Sequence, residues 1–392
     1  MRKPGDDMFL EAVLKSNPAL IDAAYKLYKD GDIGPNTYCV DLSMIKRNAS
    51  LIAREGKEYG IELYFMTKQF GRNPVISQAI VESGIEKAVA VDMDEARVLH
   101  RNGIKIGHMG HLVQIAKRDI KEALDMRPEV ITCFSAEKAA EINEVAAEMG
   151  LIQDILLRVI DNGDYIYPGQ EGGIRLECLE ETVDSISKLG NVRIVGVTSF
   201  PCFLYSEDSR AIEPTTNVYT IKRAAEILRG MGIEVKQING PSATCVSSIP
   251  ILKKMGMTHG EPGHALTGTT PLHARGDEPE GQAIVYITEV SHRDRDRAYV
   301  FGGGFYPRSR MKKAYSPRLK TTFDVEEIPA ESIDYYGTVI DDEGLLKIGD
   351  TLIYAFRTQV FVTRAKVAVI DGIREGRPRL VGIFTSLGDE IR

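Results

Sequence analysis

Residues 62–74 read Glu62-Leu-Tyr-Phe-Met-Thr-Lys68-Gln-Phe-Gly-Arg-Asn-Pro74. The apolar, β-prone first half predicts a strand that ends next to Lys68, and a helical segment is predicted over 75–82. In a β/α barrel, catalytic groups lie at the C-terminal ends of the strands. A lysine at such a position is either a solvated loop cation or an amine that forms an imine. Features elsewhere in the chain are needed to choose between the two.

The alternation of a strand with a helix recurs eight times from residue 62 onward. Predicted strands cover 62–67, 87–92, 105–110, 129–134, 154–160, 192–200, 234–239 and 257–263. Predicted helices between them cover segments such as 94–102, 113–126, 136–149, 177–189, 215–230 and 243–255. Eight alternating units over about 200 residues predict an α/β fold, a (β/α)8 TIM barrel.

The two ends of the chain differ from this repeating part. Residues 1–36 predict a helical extension, interrupted at Asn17-Pro18, and the strand-like run that begins at Thr37 opens a barrel domain over 37–274. From residue 275 the helical period is lost, which predicts a C-terminal, mostly-β domain over 275–392. Its short β-prone runs cover 282–288, 297–301, 350–356, 359–363, 366–370 and 379–384.

Composition narrows the class of protein. The 392 residues are 43% apolar and 27% charged, with a net charge of −7, which argues against a nucleic-acid or anionic-membrane surface. Acidic residues interrupt the start of the chain, so no signal peptide is expected, and no apolar run is long enough for a membrane span. The five cysteines are scattered without a CxxC pair, so we expect a cytoplasmic protein without a disulfide framework or structural zinc.

Two loops at the predicted barrel mouth have phosphate-binding character. The seventh strand ends in Asn239-Gly240-Pro241-Ser242-Ala243-Thr244 before a predicted helix, and the eighth ends in Glu261-Pro262-Gly263-His264. Barrels often bind phosphate with these loops, because free backbone N–H groups and a helix N-terminus face the anion. Gly240 and Gly263 permit close backbone approach, and Ser242 and Thr244 carry hydroxyls. Ser242 is alternatively a simple helix N-cap.

Glu261 adds a carboxylate to the same end of the barrel. It is a loop charge, an ion-pair partner, a general base or the partner of a protonated ring nitrogen. Pyridoxal phosphate needs three contacts: an amine for its aldehyde, a cradle for its phosphate and an anion for its pyridine nitrogen. Lys68, the two loops and Glu261 supply this set, which favours pyridoxal phosphate as the cofactor.

With these motifs the chain resembles the fold-type III pyridoxal-phosphate enzymes of the alanine racemase superfamily. Lys68 matches the lysine that binds the cofactor, and Glu261–Gly268 matches the segment at the ring nitrogen and phosphate. That segment begins Arg-Pro-Gly in alanine racemases and Glu-Pro-Gly in related basic amino-acid decarboxylases. The entry segment 41–48 is also similar. Within the superfamily the chain looks most like the YhfX-like branch and, through Asp161-Asn-Gly-Asp164, more distantly like ornithine racemase.

The resemblance implies a cytoplasmic homodimeric amino-acid racemase or epimerase with a small-molecule substrate and no nucleic-acid or membrane partner. Lys68 takes the α-proton on one face, and a tyrosine of the partner's β domain acts on the other. The family tyrosine aligns with Gly302, within the glycine run 302–304 that is alternatively a turn or close-packing site. Tyr306 is therefore our candidate, with Tyr354, Cys202 and His264 as alternatives.

The remaining site predictions also follow from the resemblance. Arg158 is placed near the cofactor hydroxyl, Ser199 or Phe200 on the ring face, and Tyr165, Tyr167 or Arg175 near substrate. The predicted cofactor-binding residues are Lys68, Arg158, Asn239, Gly240, Ser242, Thr244, Glu261, Gly263, His264 and Tyr354.

Several alternatives stay open. A lyase or decarboxylase is favoured by the Glu-Pro-Gly sequence. A metal, as in some members of the superfamily, would use His108 and His111, although no metal is expected, because two histidines lack a third nearby ligand. A non-catalytic cofactor carrier is a further alternative, although such proteins lack the 275–392 domain. The last alternative is a barrel protein that binds no cofactor.

Overall fold

The computed structural model describes residues 8–276, 278–306, 308–309, 311–329 and 331–392. By internal contacts the described chain divides into two units. The barrel unit consists of Ile52–Met66 and Gly84–Gly263. The sheet unit consists of residues up to Leu51, Thr67–Ser83 and His264–Arg392. Among the described residues, no helix combines the length and the apolar character needed to cross a bilayer.

The described part of the chain starts with two helices, α1 (Met8–Ser16) and α2 (Pro18–Lys29), followed by β1 (Thr37–Asp41) and α3 (Leu42–Tyr59). The break predicted at Asn17-Pro18 is present, because Pro18 occupies the first turn of α2 and cannot continue α1.

The repeating part that follows contains eleven more strands and seven more helices. In chain order these are β2 (Glu62–Met66), α4 (Pro74–Glu82), β3 (Lys87–Ala90), α5 (Met93–Arg101), β4 (Lys105–Met109), α6 (Ile120–Asp125), β5 (Val130–Cys133), α7 (Ala136–Glu148), β6 (Gln153–Ile160), β7 (Ile174–Arg175), α8 (Leu179–Ile186), β8 (Val192–Thr198), β9 (Phe203–Ser206), β10 (Ala211–Pro214), α9 (Thr216–Gly230), β11 (Gln237–Asn239), α10 (Ile249–Lys254) and β12 (His259–Gly260).

Eight of these strands form a closed parallel barrel, which confirms the predicted fold. The order around the barrel is β2-β3-β4-β5-β6-β8-β11-β12, and β12 pairs back to β2 through His259 and Glu62. All eight predicted strands are present. Short β7 extends from β6, and β9 and β10 form a separate hairpin.

A glycine permits a close approach of two strands within the barrel. An added Cβ at Gly196 in β8 would lie 1.9 Å from the carbonyl oxygen of Gln237 in β11. The two strands therefore pair at this point because residue 196 has no side chain.

Three predicted helices are shorter than the sequence pattern indicates. The helix predicted over 177–189 is limited to α8, which a 3-10 turn precedes. The helix predicted over 243–255 is limited to α10: Ala243 has a φ of 53°, which a helix cannot contain, and Pro250 lies in the first turn of α10. The helix predicted over 113–126 is limited to α6, because extended Ala116 and a short 3-10 turn precede it.

The C-terminal part is mostly strand, as predicted. After the short helix α11 (His264–Thr267) come eight strands: β13 (Ile284–Asp294), β14 (Arg297–Phe301), β15 (Lys313–Ser316), β16 (Thr321–Asp324), β17 (Tyr336–Ile340), β18 (Thr351–Tyr354), β19 (Lys366–Asp371) and β20 (Arg379–Thr385). The run predicted as β-prone over 359–363 instead contains a 3-10 turn, Val360–Val362.

Strand β1 belongs to this second sheet and not to the barrel. It lies parallel to β19 and antiparallel to β13, in the order β16-β15-β18-β13-β1-β19-β20. All five residues of β1 are buried, and a fully buried run carries no alternation that would reveal which sheet it joins. Thr37 therefore begins a strand of the second sheet, and the eight barrel strands begin at Glu62, where the sequence count also began.

The two N-terminal helices cover one face of this sheet. Apolar side chains of α1 and α2 share a buried core with residues of β1, β13, β18, β19 and β20. This core includes Val13, Leu20, Ile21, Leu27, Cys39, Val285, Ile287, Ile353, Ala368, Ile370 and Ile383. The helices thus have a packing role, since burying each large apolar side chain contributes about 1.5–3 kcal/mol.

Candidate active site

A buried polar cluster lies at the carboxyl ends of the barrel strands. Its centre is Glu261, which directly follows β12 and is 3% exposed. Glu261 Oε1 lies 2.7 Å from His108 Nδ1 and accepts a 2.8 Å hydrogen bond from Asn239 Nδ2. His108 Nε2 lies 2.5 Å from Thr132 Oγ1. Strands β4, β5 and β11 thus bring their polar residues to one carboxylate.

The cluster determines the charge of Glu261. Burial by itself raises the pKa of this carboxyl group, because the charged form loses its water. The positive potential of His111 and His108, together with the hydrogen bonds from His108 and Asn239, outweighs burial and lowers the pKa of Glu261 to about 2. Glu261 is therefore a buried anion at neutral pH.

The second carboxylate oxygen has a different environment. Glu261 Oε2 is buried and accepts no hydrogen bond from the residues that the structure describes. The nearest ion-pair contact of this oxygen is His111 Nε2, at 3.9 Å. Since an unsatisfied buried carboxylate oxygen is costly, Oε2 is suited to an N–H donor from a bound molecule.

Arg158 is buried beside the same cluster. Its Nη2 donates a 2.8 Å hydrogen bond to the carbonyl of Gln170, and its guanidinium lies 4.6 Å from the centre of the Phe134 ring. Burial lowers the pKa of Arg158 from its usual value. The barrel thus presents one arginine and one glutamate at the same end.

Aromatic rings continue from the cluster toward the loop after β6. The Phe200 ring lies 5.5 Å from the His111 ring and 5.8 Å from the Tyr167 ring, and Tyr167 lies 5.2 Å from Tyr165. Phe200 therefore presents an apolar ring to this end of the barrel.

Ser199 and Cys202 flank Phe200. The Ser199 hydroxyl accepts a hydrogen bond from Asn217, and the Cys202 thiol donates to the Ser199 carbonyl over 3.3 Å. Burial raises the pKa of the Cys202 thiol well above its usual value. Cys202 is therefore a protonated, hydrogen-bonded thiol at neutral pH.

The loop after β11 differs from the prediction in one physical respect. Gly240 N–H already donates to the His259 carbonyl over 3.2 Å, and Thr244 Oγ1 accepts a 2.9 Å hydrogen bond from Glu261 N–H. The helix expected directly after Thr244 begins at Ile249, so Ser242 is not its N-cap and no helix dipole acts at 242–244. Positive φ values at Ser242 and Ala243 shape this loop instead.

Lys68 lies in the sheet unit, two residues after the end of β2. It begins a 3-10 turn, Lys68–Phe70, which ends at Gly71 with a φ of 72°. An added Cβ on Gly71 would lie 2.9 Å from both the Ser386 carbonyl oxygen and a Val360 methyl group. The lysine is thus held on a turn with a tightly packed end.

His264 lies at the start of α11 in the same unit as Lys68. Burial lowers the pKa of its imidazole well below the usual range, and the nearby charges of Arg357 and Lys68 lower it further. Its Nδ1 lies 3.0 Å from Thr269 Oγ1. His264 is therefore neutral among cations, which leaves this region positively charged.

The glycine run and the two candidate tyrosines also lie in the sheet unit. An added Cβ on Gly302 would lie 2.6 Å from Asp334 Oδ1, and one on Gly304 would lie 2.2 Å from the Tyr286 ring. The run is thus a close-packing site, in agreement with its alternative interpretation. The Tyr306 hydroxyl donates to the Arg357 carbonyl. Burial raises the pKa of both Tyr306 and Tyr354, so both are protonated at neutral pH.

Sequence reasoning did not identify the contacts of His108 and Thr132 with the glutamate cluster. The signal that was available is the pair His108 and His111 at the end of a predicted strand. Among the described residues, no group of three or more histidine, cysteine, aspartate or glutamate side chains is arranged to hold a metal ion.

Comparison with known proteins is consistent with this fold. Residues 40–271 match the family model "Alanine racemase, N-terminal domain", and residues 285–380 match "YhfX-like, C-terminal domain". The chain is 40% identical to the uncharacterized protein YhfX of Escherichia coli (strain K12), over 98% of this chain and 100% of that protein.

Solved structures share the fold at low identity. D-threonine aldolase from Filomicrobium marinum has a TM-score of 0.68 at 16% identity, covering 91% of this chain and 96% of that one. Alanine racemase from Clostridium difficile 630 has a TM-score of 0.63 at 16% identity, covering 89% and 98%. D-threo-3-hydroxyaspartate dehydratase from Delftia sp. HT23 has a TM-score of 0.68 at 15% identity, covering 89% and 97%.

A closed (β/α)8 barrel followed by a mostly-strand domain defines the class as the fold-type III pyridoxal-phosphate enzymes. Within that class the chain belongs to the alanine racemase family, with a C-terminal domain of the YhfX-like type. The family fold implies pyridoxal phosphate as cofactor.

Proposed function

We propose that this protein is a pyridoxal-phosphate enzyme that acts at the α-carbon of an amino acid, as a racemase or epimerase. The observation that carries the cofactor and the chemistry at the α-carbon is Glu261, a buried anion whose Oε2 accepts no hydrogen bond from the described residues. When bound, the cofactor supplies an aldehyde that joins the substrate amine and a ring that draws electrons from the α-carbon. A protonated ring nitrogen is the N–H donor that Oε2 fits.

The proposed role of Lys68 is to hold the cofactor and then to remove the α-proton with its Nζ. Two features support it: the position directly after β2, where barrels carry their chemistry, and the rigid turn that ends at Gly71.

The ring hydroxyl and the phosphate of the cofactor have proposed partners as well. Arg158 is the proposed partner of the ring hydroxyl, because it is a buried cation beside the Glu261 cluster. For the phosphate we propose the loop 239–244, with Ser242 and Thr244, and the Gly263-His264 segment. Asn239 and Gly240 have indirect roles in this proposal. The Asn239 amide already donates to Glu261, and the Gly240 N–H already donates to the His259 carbonyl.

The proposal also includes an acid on the face of the cofactor opposite Lys68. Tyr306 is our candidate, because it follows the glycine run 302–304 with which the family tyrosine aligns. Tyr354, Cys202 and His264 are the alternatives. In this family a partner subunit completes the site, so we propose a homodimer in which Tyr306 of one subunit serves the other.

A lyase or decarboxylase is the second candidate function. Two observations favour it: Glu261 stands where alanine racemases have arginine, and the packing around Gly302 leaves no room for a side chain at the position of the racemase tyrosine. Two proteins that share this fold are an aldolase and a dehydratase, and both names denote lyases. A non-catalytic cofactor carrier has less support, because the C-terminal domain is present.

The test is exchange of the α-hydrogen with solvent deuterium, followed by proton NMR across L- and D-amino acids with cofactor-loaded protein. Exchange with inversion is the expected result for a racemase. Exchange without inversion would indicate that one face of the substrate is served, and product formation without exchange would establish the lyase or decarboxylase. Neither exchange nor product with any amino acid would contradict the proposal.

A further inference from the structure

The strongest feature beyond the proposed roles is the pairing of His108 with Glu261 in the barrel interior. Both side chains are at most 1% exposed, and the distance from Nδ1 to Oε1 is 2.7 Å. Asn239 Nδ2 donates to the same oxygen over 2.8 Å. Two donors on one oxygen fix the plane of the carboxylate and leave the other oxygen to face elsewhere.

The second nitrogen of His108 is also held. Its Nε2 lies 2.5 Å from Thr132 Oγ1, and both groups are fully buried. The Glu261 carboxylate can only accept, so Nδ1 is the donor in the contact between His108 and Glu261. Thr132 on β5 holds the other ring nitrogen and so fixes the orientation of the His108 ring on β4, as outer-shell partners do for metal-bound histidines.

Other ionisable groups also face Glu261. His111 Nε2 is 3.9 Å from Oε2, and electrostatic contacts with Glu261 extend to His259, Tyr64 and Cys202. Burial lowers the pKa of His259 to about 4 and raises the pKa values of Tyr64 and Cys202, so these three groups are neutral at pH 7. The histidine pair at 108 and 111 is the main source of positive potential on the carboxylate.

This inference rests on the proposed function and deepens it. We infer that His108 is a positioning residue: by occupying Oε1, it orients Glu261 so that Oε2 accepts the N–H of the cofactor's ring nitrogen. Loss of His108 leaves Glu261 one donor short and free to rotate. The ring nitrogen then loses its proton more readily, and the cofactor becomes a weaker electron acceptor.

The test is 15N NMR of the protein loaded with pyridoxal phosphate labelled at the ring nitrogen, titrated from pH 6 to pH 9. Four proteins are compared: wild type, His108→Leu, His108→Asn and His259→Asn. Asparagine retains an N–H near the position of Nδ1, whereas leucine does not. His259→Asn removes another buried barrel histidine that has no hydrogen bond to Glu261 in the described structure.

In His108→Leu we expect the ring nitrogen to lose its proton at a pH at least one unit lower than in wild type. His108→Asn should recover most of this difference, and His259→Asn should match wild type. If His108→Leu does not fold, as judged by thermal unfolding, Thr132→Val replaces it. This substitution removes the hydroxyl partner of Nε2 and should shift the titration in the same direction by less.

A second readout separates this inference from the proposed function. In cofactor-free protein with 13C-labelled glutamate, His108→Leu should raise the pKa of Glu261 by at least one unit. Wild-type protein that binds no cofactor would overturn the proposed function and, with it, the role of Oε2. Cofactor binding with the same ring-nitrogen titration in wild type and His108→Leu would overturn the inference alone.

Discussion

Glu261 shows how a barrel can hold a carboxylate in its interior without neutralising it. Burial would raise the pKa of this group, yet two histidines and an asparagine amide reverse the effect and lower the pKa to about 2. Breaking such a buried arrangement is costly, because the charge then lacks compensation. The same arrangement provides a fixed anion for a cationic ring nitrogen.

The low pKa of Glu261 predicts a specific acid sensitivity. The unfolded carboxyl group has a pKa of about 4.3, so the folded state binds the proton less tightly than the unfolded state. The resulting contribution, about 3 kcal/mol above pH 5, is lost as the pH falls from about 4.3 toward 2. Urea unfolding of cofactor-free protein between pH 3 and pH 7 measures this loss.

Glu261→Gln is the matched variant, since it keeps the shape and cannot titrate. Its unfolding free energy should depend less on pH below about 4.3 than that of wild type. His259 affects stability over a separate pH range. Burial lowers the pKa of His259 to about 4, so the contribution of its neutral form to the free energy of unfolding is lost as the pH falls from about 6.5 to 4. Identical pH dependence below pH 4 in wild type and Glu261→Gln would contradict the account of Glu261.

At the residue scale, the sequence was sufficient to select Lys68 and Glu261 as candidates, because each lies at the C-terminal end of a predicted barrel strand. Their proposed roles remain to be tested. The contacts of Glu261 with His108 and Thr132 could not be predicted. They join strands far apart in sequence, and the stagger of the strands in the closed barrel decides which side chains reach the same depth.

Among the elements, β8 and β11 show the strictest steric requirement. A Gly196→Ala variant places a Cβ 1.9 Å from the Gln237 carbonyl oxygen, which is backbone and cannot move aside without disturbing the barrel. We expect it to lower the unfolding free energy by about 3 kcal/mol or more. Chemical denaturation of the purified variant measures the change.

Gly190→Ala is the matched control. Its Cβ would have no heavy atom within 4 Å, and Gly190 has no positive φ. Its unfolding free energy should stay within about 0.5 kcal/mol of wild type. Equal stability of the two alanine variants would show that the close approach of β8 and β11 is not a constraint on the fold.

The loop after β11 shows the limit of pattern reading for an element. A serine before an apolar run predicts an N-cap, but positive φ at Ser242 and Ala243 delays the helix to Ile249. Non-glycine residues rarely adopt such φ values, so sequence offers little warning. The strands were predicted more accurately, because eight buried runs of similar length recur at regular intervals.

At the scale of the whole molecule, the two units are assembled from interleaved segments of the chain. The sheet unit takes Thr67–Ser83 from between the first two barrel strands, as well as β1 from the N-terminal part. Sequence predicted the barrel and the C-terminal strands, since each has its own period. Sequence could not predict that Thr67–Ser83 and β1 belong to the sheet unit, because buried strands and helices have the same sequence pattern whichever unit they join.

The proposed homodimer with shared sites predicts complementation between two inactive variants. Lys68→Ala and Tyr306→Phe should each abolish racemisation on their own, since inversion needs a group on both faces of the substrate. Mixed under conditions that exchange subunits, they should recover about a quarter of wild-type activity, because half of the dimers are mixed and half of their sites are intact.

Size-exclusion chromatography of each variant provides the control that dimers form. Mixed dimers without recovered activity would contradict a site completed by the partner subunit. An active Tyr306→Phe protein would instead remove Tyr306 as the acid and direct the search to Tyr354, Cys202 and His264.

The most direct measurement traps the cofactor on its lysine. Protein incubated with pyridoxal phosphate is reduced with borohydride, digested and mapped by mass spectrometry, beside Lys68→Ala and the surface control Lys121→Ala. We predict a phosphopyridoxyl group on Lys68 in wild type and Lys121→Ala, and its absence from Lys68→Ala. Wild-type protein without this group on Lys68, or Lys68→Ala protein that still binds the cofactor covalently and turns over substrate, would contradict the central claim.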